Sequence, residues 1–177
     1  MKIVILNSSV DHPINQDLRE FYNQLRSDHD IKIVRSFREA NGGDILFLIS
    51  CNEIVPTEVL KSYKHSFVLH ASNLPKGRGW SPHIWEIING SSELTLSMIE
   101  AAPEVDTGAI YLKKNIKISK TALWDEINKK LFSEEIKLMK YAVQNIGNMS
   151  LTPQESGETY HKKRTVNDSQ LDISKSI

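Results

Sequence analysis

The sequence predicts an α/β fold, a mostly parallel sheet flanked by helices, with an extended C-terminal tail. Three observations carry this. Short β-branched runs alternate with segments of helical apolar spacing, the signature of βαβ units. One run, Ile45–Ile49, is apolar at every position, as in a strand buried on both faces. Beyond residue 150 the apolar periodicity stops and Pro153, Gly157 and many charges follow, which suits a chain laid on a surface or frayed. Residues 1–150 are therefore expected to form one domain and 151–177 a tail packed on it.

Lys2–Leu6 is the first strand, ended by the turn-forming Asn7-Ser8-Ser9. From Pro13 onward Leu18, Phe21, Tyr22 and Leu25 fall on one helical face. Ile31–Val34 is a second strand and Asn41-Gly42-Gly43 a break before Ile45–Ile49. A short helix over Pro56–Tyr63 and a strand at Phe67–Leu69 follow. Ser81-Pro82 has the chemistry of an N-cap and first turn, and Gly90 that of a stop, so a helix is expected over Pro82–Asn89. Leu94–Glu100 and Ala109–Ile118 read as two strands. Thr121–Ile146 places Leu123, Ile127, Leu131, Leu138 and Ala142 on one stripe, with a possible break at Ser133 and an end at Gly147.

Composition narrows the function classes. The 177 residues hold 22 Lys+Arg against 22 Asp+Glu. A net charge of zero gives no electrostatic reason to expect nucleic acid as a partner. Asp44–Ser50 has only five consecutive apolar residues, far below a membrane span, and Met1–Leu6 lacks the features of a signal peptide. A cytoplasmic protein is expected. One cysteine, Cys51, excludes an internal disulfide and a thiolate-rich zinc site. The six histidines are scattered, so no metal is expected.

Familiar chemical motifs are missing. Leu6–His12 holds no glycine-rich dinucleotide turn, and Lys76-Gly-Arg-Gly79 lacks the Gly-Lys-Ser/Thr ending of a phosphate loop. The informative stretch is Phe67–Pro82. It sets His70 at the carboxyl end of a buried strand, where open α/β sheets bind ligands. Geometry alone leaves open a histidine bonded only to its neighbours. Asp106, in Glu104-Val-Asp-Thr-Gly108, could equally be turn chemistry, Trp80 and Trp85 helix-packing residues, and Cys51 an apolar filler.

His70-Ala-Ser-Asn-Leu-Pro75, Arg78-Gly79, Pro82, Trp85, Ile88-Asn-Gly90, Thr95 and Val105-Asp-Thr-Gly-Ala-Ile110 together resemble the signature of the 10-formyltetrahydrofolate-dependent formyltransferases. Ile45–Leu60 resembles that family upstream, and Gln154, Thr159-Tyr160 and Asp172 resemble its segment after the core. The resemblance implies a Rossmann-like formyltransferase domain that transfers a formyl group from 10-formyltetrahydrofolate to a primary amine. It implies His70 as the catalytic histidine, Asp106 as its carboxylate partner, and Ser72, Asn73, Leu74 and Pro75 as the folate-contacting loop. The expected partners are folate and a small-molecule amine, without nucleic acid or membrane, with a homodimer as one possible assembly.

Three departures bear on the acceptor. Val68 stands where the family carries Asn, two residues before the histidine, so an oxyanion donor is missing there. Asn52 and Asn73 are the candidates to replace it, with a backbone N–H or water as alternatives. The glycine-rich loop of the purine-pathway members is absent, and so are the basic surface and extra domain of the initiator-tRNA members. The chain is most similar to short bacterial amino-sugar N-formyltransferases. Asp11-His-Pro-Ile14, Ser50-Cys51 and Pro75–Pro82 resemble the pseudaminic-acid branch. A folate-binding relative without turnover, suggested by Val68, is the other reading.

Overall fold

In the computed structural model, which describes residues 1–170, six strands form one sheet in the order β2-β1-β3-β4-β6-β7. β1 (Lys2–Leu6) pairs in parallel with β2 (Asp30–Val34) on one side and β3 (Gly43–Leu48) on the other, and β3 pairs in parallel with β4 (Tyr63–His70). β6 (Glu93–Glu100) and β7 (Ile110–Lys117) extend the sheet antiparallel. Strand order reverses between β1 and β3, so a crevice opens beyond their carboxyl ends.

Period-two alternation sends β1 to β4 into two cores. Ile3, Ile5, Phe47, Phe67 and Leu69 meet α1 (Asn15–Leu25) and α4 (Trp124–Asn145) on one face. Val4, Leu6, Leu46 and Leu48 meet Leu60 of α2 (Thr57–Lys61) on the other. Phe47 stacks on Phe67 at 5.4 Å, and Tyr111 meets Phe67 edge-on at 4.9 Å, joining β3, β4 and β7 through one aromatic ladder.

Several boundaries differ from the sequence reading. β4 starts at Tyr63, because Gly43 and Ile45 of β3 draw Tyr63 and His65 into register. α2 correspondingly stops at Lys61. α4 runs through Ser133 without a break, and Leu123, expected on its buried stripe, is exposed ahead of it. The helix passes into a 3-10 turn at Ile146–Asn148, so Gly147 lies inside that turn and does not end the helix by itself.

α3 (Pro82–Ile88) has Pro82 in its first turn, but Ser81 adopts φ 47° and makes no side-chain cap bond. At its other end Gly90 (φ 84°) donates to the Ile87 carbonyl and Ser91 to that of Glu86, a Schellman stop that needs the left-handed residue. Two short strands absent from the sequence reading, β5 (Arg78–Gly79) and β8 (Tyr160–His161), pair in parallel. They lash residues 159–161 to the loop after His70. Among the described residues no helix is long and apolar enough to cross a membrane. Asp172 lies outside the described residues.

Candidate active site

Alternation along β4 puts Phe67 and Leu69 into the α1/α4 core, so Val68 and His70 face the other way, at the strand end that borders the crevice. His70 is buried, with Nε2 2.8 Å from the Gly77 carbonyl and Nδ1 3.3 Å from Asp106 Oδ1. Both ring nitrogens thus face oxygen acceptors. A ring protonated on both satisfies both, and a neutral ring can donate to only one.

Asp106 sits in the loop between β6 and β7 with φ 57°, a conformation most side chains avoid. Three bonds fix it. Its Oδ2 accepts from the Gly79 N–H at 2.8 Å, its carbonyl accepts from Gln154 Nε2 at 2.7 Å, and the same amide nitrogen donates to the Gly108 carbonyl at 2.8 Å. Gln154 Oε1 in turn accepts from the Arg78 guanidinium at 2.8 Å. The segment after residue 150 thereby ties the Asp106 loop to the loop after His70. Thr159 does the same at Gly77, whose N–H donates to its hydroxyl at 2.8 Å.

His70 and Asp106 line a cavity of about 600 Å³. Leu48, Ile54, Val55, Val68, Ala101 and Val105 give it apolar lining, from β3, β4 and the loops after β3 and β6. His12, His83, Asn128, Glu135, Lys163 and Arg164 are among its polar lining. Burial holds the Glu135 carboxyl up at about 8, with the Asp17 charge adding to it. Burial pushes His83 down to about 4, helped by the charges of His12, His70 and Arg164. His12 is lowered by burial as well.

These shifts predict a pH dependence of stability. With its pKa raised from 4.5 to about 8, Glu135 binds more protons folded than unfolded, so its contribution is full below 4.5 and is lost as pH rises through 8. His83, lowered from 6.5 to about 4, contributes fully above 6.5 and loses that as pH falls. The slopes oppose one another between 4.5 and 6.5, leaving Glu135 alone above that. Denaturant melts should show stability falling from pH 6.5 to 8 by up to about 1.4 kcal/mol per unit. Glu135→Gln should flatten that limb; an unchanged slope would assign it to other groups.

The structure brings His70 and Asp106 together and places the other expected site residues apart from the cavity. Ser72 is buried, its carbonyl accepting from Ser97 Oγ at 2.7 Å and its own hydroxyl without a hydrogen-bond partner. Asn73 Oδ1 and the Leu74 carbonyl both accept from Lys113 Nζ. Leu74 is fully buried and precedes a cis Pro75. None of these four lines the cavity. They return the chain to Gly77, whose carbonyl holds His70. Val68 and Asn52 both line the cavity, and Asn52 is exposed, its backbone N–H donating to Ser8 Oγ at 3.0 Å.

Sequence reasoning placed Asn52 beside the crevice but missed the lining at Glu53–Val55, that at Glu100–Val105, and the residues from α4. The loop after β3 had a signal, because any loop at a strand's carboxyl end beside the order reversal borders the crevice. Glu135 had a weaker one: its place among Leu131, Phe132, Leu138 and Met139 marks a carboxylate on an apolar helix face.

A family profile of formyl transferases matches residues 6–143. The chain belongs to the formyl transferase family. Across 135 residues it is 36% identical to mitochondrial 10-formyltetrahydrofolate dehydrogenase of Mus musculus, covering 73% of this chain and 15% of that protein. It is 26% identical to methionyl-tRNA formyltransferase of Prochlorococcus marinus, covering 97% of this chain and 58% of that one. The chain thus spans well under two thirds of these curated relatives. In fold, this formyl transferase superimposes with a TM-score of 0.83 on methionyl-tRNA formyltransferase from Clostridium thermocellum, at 21% identity, covering 100% of this chain and 78% of that one.

Proposed function

We propose that this formyl transferase moves the formyl group of 10-formyltetrahydrofolate to the primary amine of an amino sugar, with His70 and Asp106 as its catalytic pair. The observation that carries the reading is the 3.3 Å approach of these two side chains, 36 positions apart in sequence, on a cavity lined by both apolar and polar side chains. The apolar residues suit a flat heteroaromatic donor and the polar ones a hydroxylated acceptor. Residues 1–150 act as the catalytic domain, and the described part of the tail, 151–170, braces it.

The amine nitrogen attacks the formyl carbon, and the carbonyl oxygen becomes an oxyanion. As the bond to folate N10 breaks, the amine nitrogen gives up a proton and N10 takes one, so the transfer needs no net proton. His70 carries the proton between them, and Asp106 fixes the ring and stabilises its protonated form. Ser72, Asn73, Leu74 and Pro75 act on the folate side indirectly, as the loop that returns the chain to Gly77 behind His70. Asn52 is the side chain best placed to replace the oxyanion donor missing at Val68, since it lines the cavity and Asn73 is turned to Lys113.

Two observations support a sugar over a phosphorylated purine precursor. Arg35 locks the loop after β1, with Nη1 bonded to the carbonyls of Asn7 and Ser9 and the side chains of Asn7 and Asn15. One guanidinium nitrogen beside that turn is thereby taken up by the protein's own oxygens and is not offered to a phosphate. A formyltransferase from Anoxybacillus kamchatkensis, solved with UDP-4,6-dideoxy-4-formamido-L-AltNAc and tetrahydrofolate, shares the fold at TM-score 0.72 and 19% identity, covering 96% of this chain and 88% of that one. A pseudaminic-type precursor is therefore the first acceptor to test.

The test is formyl transfer from 10-formyltetrahydrofolate to the UDP-linked 4-amino-4,6-dideoxy sugar, to glycinamide ribonucleotide and to charged initiator tRNA. Turnover is expected with the sugar. Transfer only to one of the other amines overturns the acceptor class. Stabilisation by a folate analogue without transfer to any of them favours the folate-binding reading that Val68 suggests.

A further inference from the structure

Asp106 owes its place beside His70 to a side chain from the tail. Gln154 Nε2 donates to the Asp106 carbonyl at 2.7 Å and to the Gly108 carbonyl at 2.8 Å, while its Oε1 accepts from Arg78 Nη2 at 2.8 Å. Arg78 is 8% exposed, and a guanidinium only donates, so the amide has one orientation. Its oxygen faces Arg78 and both amide hydrogens go to carbonyls. An acceptor on one side and two donors on the other is what a primary amide supplies, and asparagine is one carbon too short. A carboxylate would suit Arg78 and repel the carbonyls; an ammonium would do the reverse. The residue type at 154, beyond the 6–143 segment that the family profile matches, is thus fixed by the loop it holds.

That loop needs the restraint. Asp106 sits at φ 57°, which a side chain leaves when it is free to. Residues 103–105 ahead of it are exposed, and Thr107 bonds back to the Glu104 carbonyl within the same loop. The 3.3 Å between Asp106 Oδ1 and His70 Nδ1 is longer than the roughly 2.7–2.9 Å of a tight charge-assisted bond, so a small outward shift ends it. The tail itself stays docked without Gln154. The Arg78 N–H donates to the Thr159 carbonyl at 2.8 Å and the Trp80 N–H to that of His161 at 3.1 Å. Between them Gly79 lies so close that an added Cβ would sit 2.5 Å from the His161 carbonyl oxygen. Removing the Gln154 amide therefore frees the Asp106 loop and leaves the strap in place.

We infer that Gln154 is a positioning residue for formyl transfer, holding the Asp106 carboxylate against His70 from outside the cavity. It rests on the formyl-transfer reading and deepens it: the tail acts on the rate of the chemical step through one amide, beyond bracing the domain. Gln154 is not among the residues lining the cavity, so it contacts neither folate nor acceptor. Its effect belongs in kcat and not in either KM.

Three variants test it. Gln154→Leu removes all three bonds, and Gln154→Glu keeps the Arg78 partner while turning oxygens toward the two carbonyls. Tyr160→Phe removes a different tail contact, the 3.1 Å bond from Arg78 Nη1, and serves as the control for general loosening. With whichever amine of the three above is formylated, Gln154→Leu should lower kcat by about 10- to 100-fold, the cost of misplacing a group by about 1 Å. Both KM values should stay within a few-fold of the parent. Gln154→Glu should lose as much rate while its pairing with Arg78 keeps Tm near the parent's, so the loss is not one of folding. Tyr160→Phe should keep its rate. In an Asp106→Asn background Gln154→Leu should cost little further, since the contact it protects is already gone. A readout without substrate separates this inference from the formyl-transfer reading. The His70 Hε1 resonance, assigned by its loss in His70→Ala, should move in both Gln154 variants and stay in Tyr160→Phe, whether or not any amine is turned over. An unmoved resonance or a parental kcat in Gln154→Leu overturns the inference. So do an equal loss in Tyr160→Phe, a rise in KM in place of the fall in kcat, and a full further loss in the Asp106→Asn background.

Discussion

Replacing His70 with alanine is expected to lower turnover by about 10²- to 10⁴-fold, the range for removing a positioned acid–base group. The ring is held from both sides, by the Gly77 carbonyl at 2.8 Å and Asp106 Oδ1 at 3.3 Å, so the substitution deletes a preorganised proton carrier. Asp106→Asn separates positioning from chemistry. An asparagine oxygen can still accept from the Gly79 N–H, but the charge facing His70 is gone. The rate should fall while affinity for a folate analogue is retained. Single-turnover formyl transfer, paired with analogue binding by calorimetry, reads both quantities. A parental rate in His70→Ala would remove the proposed chemistry, and equal losses of rate and affinity in Asp106→Asn would make Asp106 structural.

Much of this arrangement was legible in the sequence because it is written in local patterns. Ile45–Ile49 reads as a two-faced strand since each residue is apolar, and β3 is buried along most of its length. His70 could be placed at a strand end because a Pro- and Gly-rich loop follows it. What stayed hidden depends on long-range contact. β5 and β8 are two residues each and exist only because residues 159–161 return to the loop after His70. Ser81 looked like a cap by residue type, yet the close return of that loop puts it in the left-handed region, where its hydroxyl does not cap α3. Leu123 fell on a helical stripe by spacing, but its backbone N–H is bound by Glu126, and the helix proper begins after it.

The candidate site divides in the same way. His70 and Asp106 stood out through a family pattern, and the fold brings them into contact. Of the cavity lining beyond this pair, Asn52 was singled out, but Glu53–Val55 was not, because that stretch acquires meaning only from the order reversal of the sheet. The segment after residue 150 looked unstructured for want of periodicity. Through Thr152 it adds a backbone bridge to Ile110, and through Gln154 it holds the Asp106 carbonyl. Its stabilisation comes from single polar contacts to other loops, which leave no repeat in its own sequence.

Gly108→Ala is expected to be the most damaging single-methyl change in the chain. A Cβ built on Gly108 would lie 1.7 Å from the Glu100 carbonyl oxygen and 2.8 Å from its carbon. Both obstacles are backbone, and Glu100 is itself tied across this gap by its N–H to the Ala109 carbonyl at 2.8 Å. No rotamer relieves the clash, so β6 and the returning loop must separate, carrying Asp106 with them. Loss of about 3 kcal/mol is a reasonable floor for such forced backbone movement, or roughly 6–12 °C in Tm for a chain of this size. Gly90→Ala supplies the comparison. Gly90 has positive φ but nothing within 4 Å of the added carbon, so only the left-handed penalty of about 1 kcal/mol applies. Assayed well below both melting temperatures, Gly90→Ala should turn over normally, whereas Gly108→Ala should be impaired because Asp106 no longer meets His70. Parental Tm and rate in Gly108→Ala would contradict the close approach of β6 to this loop. Parental rate with a lowered Tm would instead show that Asp106 keeps its contact while the hairpin base yields.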